Sequence, residues 1–255
     1  MTGLAESFEA FVRRRRCQIN RLVTTLRGTA CPDGGLPTEG FHDPAGTWPT
    51  AQTLANVLWM GLLPIDDPFC QGLRDWLITH QNADGSWPFR AKGEGFLDTT
   101  AWSLWALSYY GSQVLPAVNR GFRWLLDARQ DAYGESAGGW GIHPRERARV
   151  YSTFIALLVL DQLLHSGMLV VSDEAAEARV ARDEALQWIA ENRNHDGGWG
   201  IHFGQPTDLA NTLHAVIALI TVGGIDPVRE RAAFDLIRNS RTETGTWPTV
   251  TEIFE

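Results

Sequence analysis

The sequence predicts an all-α protein built as a tandem array of helical hairpins. Three observations predict it. Gly-Trp or Gly-x-Trp turns recur along the chain, an amphipathic segment precedes the middle three, and a more apolar segment comes after each of the first four. The turns are GTW at 46–48, GSW at 85–87, GGW at 138–140, GGW at 197–199 and GTW at 245–247. In each, glycine is expected to supply the turn geometry. The indole is expected to cover the hairpin end and to give its N–H to a carbonyl.

The first unit, about 1–64, ends with the apolar helix AQTLANVLWM at 51–60. The second, 65–113, has RDWLITHQ before its turn and DTTAWSLWAL after it. The third, 114–170, has FRWLLDARQ and then YSTFIALLVL. The fourth, 175–224, has LQWIAENR and then ANTLHAVIAL. Trp76, Trp124 and Trp188 mark equivalent points on the first helices, and AFDLI at 233–237 does the same for a partial fifth unit at 226–255. The four second helices align without a gap, which superimposes Thr53, Thr100, Thr153 and Thr212. The residues before them, Gln52, Thr99, Ser152 and Asn211, are polar too, and such residues can satisfy the free N–H groups of a helix start. The rest of each second helix is apolar nearly all round, as in a helix buried on most sides. Linkers are short (Leu63-Pro64, Gly111, Gly223-Gly224), so 1–255 is expected to form a single domain. The spacer at 168–182 is expected to lengthen the first helix of the fourth unit.

Composition narrows the function. A net charge of −8 argues against nucleic-acid binding, which rests on neutralising phosphates. The run Arg13 to Arg16 is a local exception that suits a solvated helix face first, and otherwise an acidic partner or a diphosphate. No apolar run reaches the ~20 residues that span a bilayer. Peripheral contact with a membrane stays open, and the charged N-terminus points to the cytoplasm. Cys17, Cys31 and Cys70 are an odd, scattered set, expected to be reduced and mostly buried. No metal site and no cofactor is expected.

Gly72-Leu-Arg-Asp-Trp76-Leu77, then Gln81 and Gly85-Ser86-Trp87, form a near-complete QW motif. Arg120-Gly121-Phe-Arg-Trp124-Leu125 with Gly139-Trp140 is a looser one, and Trp188-Ile189 with Gly198-Trp199 a third. This pattern resembles the QW repeats of squalene-hopene and oxidosqualene cyclases and, more broadly, the prenyltransferase/squalene-oxidase repeat. The resemblance implies an α/α-toroid, with inner helices ringing a central apolar cavity and outer helices wrapping them. About six hairpins complete such a ring, and four and a half are expected here. The ring is therefore expected to be open, truncated, or closed by a partner domain.

Class II members of that family start by protonating an alkene or epoxide with the central Asp of a DxDD motif. A carboxylic acid in an apolar cavity stays protonated, and aromatic walls stabilise the carbocation. In the resemblance Asp98, within Phe96-Leu-Asp-Thr-Thr-Ala, falls on that central position. Phe96 and Thr99 stand where the flanking acids would be. In the gap-free alignment of second helices the other units carry Ala51, Tyr151 and Ala210 at this point, so the repeat does not itself demand an acid. An N-cap is the other reading of Asp98, and Asp208 reads as a cap. His143 and His202, in the matched GGWGIHP and GGWGIHF, suggest a shared structural role such as bonding a turn carbonyl.

The expected cavity wall comprises Trp59, Trp102, Trp105, Tyr109, Tyr110, Tyr151, Phe154 and His214, which an ordinary apolar core would also explain. Two functions fit these residues. One is an isoprenoid-handling, protonation-initiated terpene cyclase, or part of one, with Asp98 as its acid. The other is a non-catalytic toroid module that binds a partner protein, a peptide or an apolar ligand.

Overall fold

Outer and inner helices alternate along the chain. The computed structural model describes residues 19–38, 44–129, 138–144, 146–169, 172–223 and 230–242. Arg13 to Arg16, Cys17 and Trp247 lie outside the described residues. The outer helices are α1 (19–29), α3 (Pro68–Thr79), α5 (Leu115–Asp127), α7 (Ser172–Glu191) and α9 (Arg231–Asn239). The inner ones are α2 (Thr47–Trp59), α4 (Leu97–Leu107), α6 (Val150–His165) and α8 (Leu209–Ala218). Each inner helix packs on the next, α2 on α4, α4 on α6 and α6 on α8, while α3, α5, α7 and α9 cover them from outside. This is an all-α, α/α-toroid arrangement. The spacer at 168–182 does lengthen α7, which is helical from Ser172. A two-residue β-ladder, Leu36–Pro37 with Ala45–Gly46, closes the first hairpin.

The turns hold the hairpins together by one repeated device. Trp87, Trp140 and Trp199 are fully buried. Their indole N–H groups donate to Leu77 O at 2.8 Å, Leu125 O at 2.8 Å and Ile189 O at 2.7 Å, carbonyls of the outer helix in the same hairpin. Their backbone N–H groups donate to Thr100 Oγ1, Thr153 Oγ1 and Thr212 Oγ1 at 2.9, 3.0 and 3.0 Å. The threonines therefore satisfy the turn, where an intrahelical capping role was expected. A Thr100→Val variant keeps the shape but leaves the buried Trp87 N–H without its acceptor. It is expected to lose about 1–3 kcal/mol, read as a lower urea midpoint with an unchanged slope.

Each turn also locks onto the following unit. Gly85 has φ 96°, and a Cβ there would lie 2.3 Å from Arg120 O on α5. Gly138 meets Glu184 O of α7 in the same way, at 2.7 Å. No residue with a side chain fits these contacts. Trp76 packs over Gly35, Trp188 over Gly139 and Leu236 over Gly198, so the outer-helix residues that looked equivalent in sequence do one job.

The first unit corrects the sequence reading. Trp48 does not sit in a Gly-Trp turn; it is the second residue of α2. The true first turn is Asp33-Gly34-Gly35-Leu36, in which leucine replaces tryptophan. Gly34 has φ 95°, matching Gly85 at 96° and Gly197 at 93°. Asp33, Asp84 and Asp196 each accept the N–H two residues on, at 3.2, 3.0 and 3.1 Å. Leu36 N donates to Thr50 Oγ1 at 2.9 Å, so Thr50 rather than Thr53 matches Thr100. The first inner helix thus shifts by three residues against the others. Trp48, not Ala51, stands at the level of Asp98, Tyr151 and Ala210.

Candidate functional site

A cavity of about 390 Å³ opens at the N-terminal ends of the inner helices. The repeat builds its wall in three layers. Phe89, Ile142 and Ile201 each lie two residues past a turn tryptophan. Phe96, Arg149 and Asp208 are the N-cap residues of α4, α6 and α8. Trp48, Asp98, Tyr151 and Ala210 are the second residues of the four inner helices. Three of the four positions in that last layer carry a large or charged side chain, and Ala210 leaves the space. Ser152, Asn211 and His214 complete the wall.

Asp98 is 7% exposed, and its Oδ1 is buried with no hydrogen-bond partner. Burial lifts its carboxyl from 3.8 to about 7, while the Arg149 guanidinium pulls in the opposite direction. The acid is therefore largely protonated just below neutral pH, and its conjugate base has a cation ready to steady it. Tyr151 is half-buried. Desolvation raises its phenol pKa and the Asp98 charge adds to this, while the Trp102 indole lowers it. It stays neutral and can only donate or accept a hydrogen bond. His214 is held down to about 4 by burial, with Asp208 pulling up, so its ring is neutral. Its ring centroid lies 4.8 Å from Tyr151 and 5.0 Å from Phe154. Asp208 caps α8 as expected, accepting from Asn211 N and Nδ2, each at 2.8 Å.

The other candidate residues divide between the cavity and its surroundings. Phe154 is buried and stacks on His214. Trp102 and Trp105 stack at 5.5 Å on the Asp98 face of α4, one and two turns further on, beyond the cavity lining. The Trp105 indole donates to Tyr109 Oη at 3.4 Å. Trp59 is 67% exposed at the far end of α2, so it is not part of the cavity wall. Tyr110 turns outward and donates to Cys70 O at 3.0 Å, likewise outside the wall. Trp48, Phe89, Phe96, Ile142, Arg149 and Ile201 were missed in the sequence. The signal for Phe89, Ile142 and Ile201, and for Phe96 and Arg149, was a constant offset from the turn tryptophans, whereas Trp48 shows only once Thr50 is matched with Thr100. His143 and His202 hold carbonyls of the preceding unit, Gly95 O at 3.3 Å and Ala148 O at 2.9 Å. Cys31 is half-buried and Cys70 is buried. Among the described residues no group of three or more His, Cys, Asp or Glu could hold a metal. No described helix is long and apolar enough to cross a membrane.

The family model of the prenyltransferase alpha-alpha toroid domain matches residues 163–254. A drimenyl diphosphate synthase from Streptantibioticus cattleyicolor is 38% identical over 68 residues, 27% of this chain and 13% of that protein. A squalene–hopene cyclase from Bradyrhizobium diazoefficiens is 31% identical over 121 residues, 43% of this chain and 18% of that one. The ent-copalyl diphosphate synthase from Streptomyces platensis superposes with a TM-score of 0.62 at 18% identity, covering 89% of this chain and 41% of that one. The chain is a terpene-cyclase-like α/α-toroid. The matched segments cover only 13% and 18% of the length of the two curated relatives, and the likeness to the solved synthase concerns the fold. In this toroid the cavity at the helix N-termini holds one buried carboxyl, Asp98, among aromatic rings.

Proposed function

We propose that this chain provides the protonating cavity of a class II-type terpene cyclase, with Asp98 delivering the first proton to an isoprenoid. One observation carries the reading: a buried carboxyl with an unpartnered oxygen faces an aromatic cavity, where burial raises its pKa to about 7. The volume suits a small apolar ligand. Rings of Trp48, Phe89, Phe96 and Tyr151 can stabilise a developing carbocation. Arg149 stabilises the carboxylate left behind, which lets a lone acid act without flanking carboxyls. The relatives' names point to prenyl diphosphates or squalene as the first substrates to try. In this reading 1–255 is one cytoplasmic domain that meets its substrate peripherally at membranes.

Purified protein incubated with C10–C20 prenyl diphosphates and with squalene is expected to give cyclic isomers, seen by gas chromatography and mass spectrometry. Unchanged substrate in every case, beside an active control cyclase, overturns the proposal. A second reading, a toroid that binds a partner domain, is favoured by Trp59, Met60, Ile217 and Ile220. These are 67, 53, 43 and 52% exposed and lie toward the C-terminal ends of inner helices, away from the cavity mouth.

A further inference from the structure

We infer that His214 is the base that ends the reaction, taking the proton that the cyclised cation releases. This rests on the class II-type reading of the cavity and adds a second catalytic group to it.

His214 lines the same cavity as Asp98 but stands on α8, with α6 between the two helices. Packed helices lie about 8–10 Å apart, so α4 and α8 are separated by up to about 20 Å between axes. Acid and base therefore address different sides of a bound ligand, as an isomerisation needs when the proton enters at one carbon and leaves from another. His214 Nδ1 is buried and has no hydrogen-bond partner. A buried polar atom in that state is expensive unless a ligand or proton meets it. Tyr151 and Phe154 flank the ring at 4.8 and 5.0 Å and fix its orientation.

The chemistry agrees. Because burial holds the imidazole pKa at about 4, the ring is neutral and its lone pair is free at the pH where Asp98 carries a proton. A tertiary carbocation is so strong an acid that even this weak base suffices. Asp208, which pulls the His214 pKa upward, steadies the imidazolium once it forms.

The electrons balance. The terminal π pair of the substrate forms a C–H bond with the Asp98 proton, leaving the carboxylate and a tertiary cation. Further π pairs form the ring C–C bonds and move the charge along. Finally a C–H pair next to the cation becomes a C=C bond, and its proton binds a His214 ring nitrogen. The product is an isomer of the substrate. When it leaves, solvent returns the proton from His214 to Asp98.

Three variants of the full chain test this: His214→Phe keeps the ring without the lone pair, His214→Gln keeps an acceptor without basicity, and Asp98→Asn removes the acid. Circular dichroism checks folding for each. With His214→Phe or His214→Gln, consumption of substrate is expected to fall by less than about tenfold, while the main alkene drops at least about fivefold in favour of alcohols and shifted alkenes from water capture. A second arm uses an isoprenoid tertiary ammonium, which has an N–H to donate, and its quaternary analogue, which has none. Wild type is expected to prefer the former about tenfold, and His214→Phe by less than about twofold. Turnover by wild type with an identical product distribution in both His214 variants overturns the base assignment alone, as does an ammonium preference that survives His214→Phe. No turnover by wild type overturns the cyclase reading and this assignment with it.

Discussion

Replacing Asp98 by Asn is expected to lower turnover by about 10²–10⁴-fold, the range a positioned general acid contributes. The fold should survive, because the amide is isosteric and the surrounding wall of α4 and α6 is set by the turn contacts. The pH profile gives the sharper check. The folded pKa of about 7 lies above the ordinary 3.8, so the native state holds a proton across this interval that the unfolded chain has already released. Turnover should be flat between about pH 4, below which His214 takes up a proton, and about pH 7, and fall tenfold per pH unit above that. Stability carries the same sign. Folding is undisturbed by Asp98 below about pH 4, then loses stability as pH rises to about 7, by on the order of 4 kcal/mol in all. Asp98→Asn should therefore match wild type near pH 4 and unfold at higher temperature than wild type at pH 8. A variant less stable than wild type at pH 8, or a wild-type rate that rises above pH 7, contradicts the assignment.

Trp87→Ala and Trp48→Ala should part company sharply. Trp87 is fully buried, donates to Leu77 O, and packs so tightly that a Cβ on Gly121 would fall 2.7 Å from its ring. Removing it opens a large cavity and strips a buried carbonyl of its donor. A loss of about 3–5 kcal/mol is expected, a major part of the stability of an ordinary domain. Trp48 is half-buried in the wall of the cavity, with Phe89 stacked at 6.3 Å. Its removal should cost about 1 kcal/mol or less and enlarge the cavity instead. Chemical denaturation of both variants checks the contrast. Equal losses would mean that Trp48 belongs with the turns after all.

That contrast also marks where sequence legibility stopped. Five glycine–tryptophan pairs look alike in sequence because composition is all that a motif records. The one at Trp48 is a coincidence of a glycine that ends a strand and a tryptophan that begins a helix. The working turn in that unit has leucine in place of tryptophan, and the hydrogen bond from Leu36 N to Thr50 Oγ1 exposes it together with the Gly34 backbone and the Asp33 cap. The difference is a shift of one helix by three residues, nearly a full turn. It left the fold untouched but hid Trp48 from the cavity.

The hairpin array, the alternation of outer and inner helices, and Asp98 as an acid the repeat does not require were all legible in the chain. Those properties are local. Glycine conformations, helix periodicity and the matched Trp–Thr spacing act over a dozen residues, and the chain states them directly. Which side chains meet depended on packing between helices. It brought Arg149 and Tyr151 of α6 and His214 of α8 to the cavity that holds Asp98, and left Trp59 in solvent. Burial then set the chemistry: the same desolvation raises the acid to about 7 and lowers the imidazole to about 4. Neither shift is written in residue type, because the dielectric surroundings of a side chain come from helices distant in sequence.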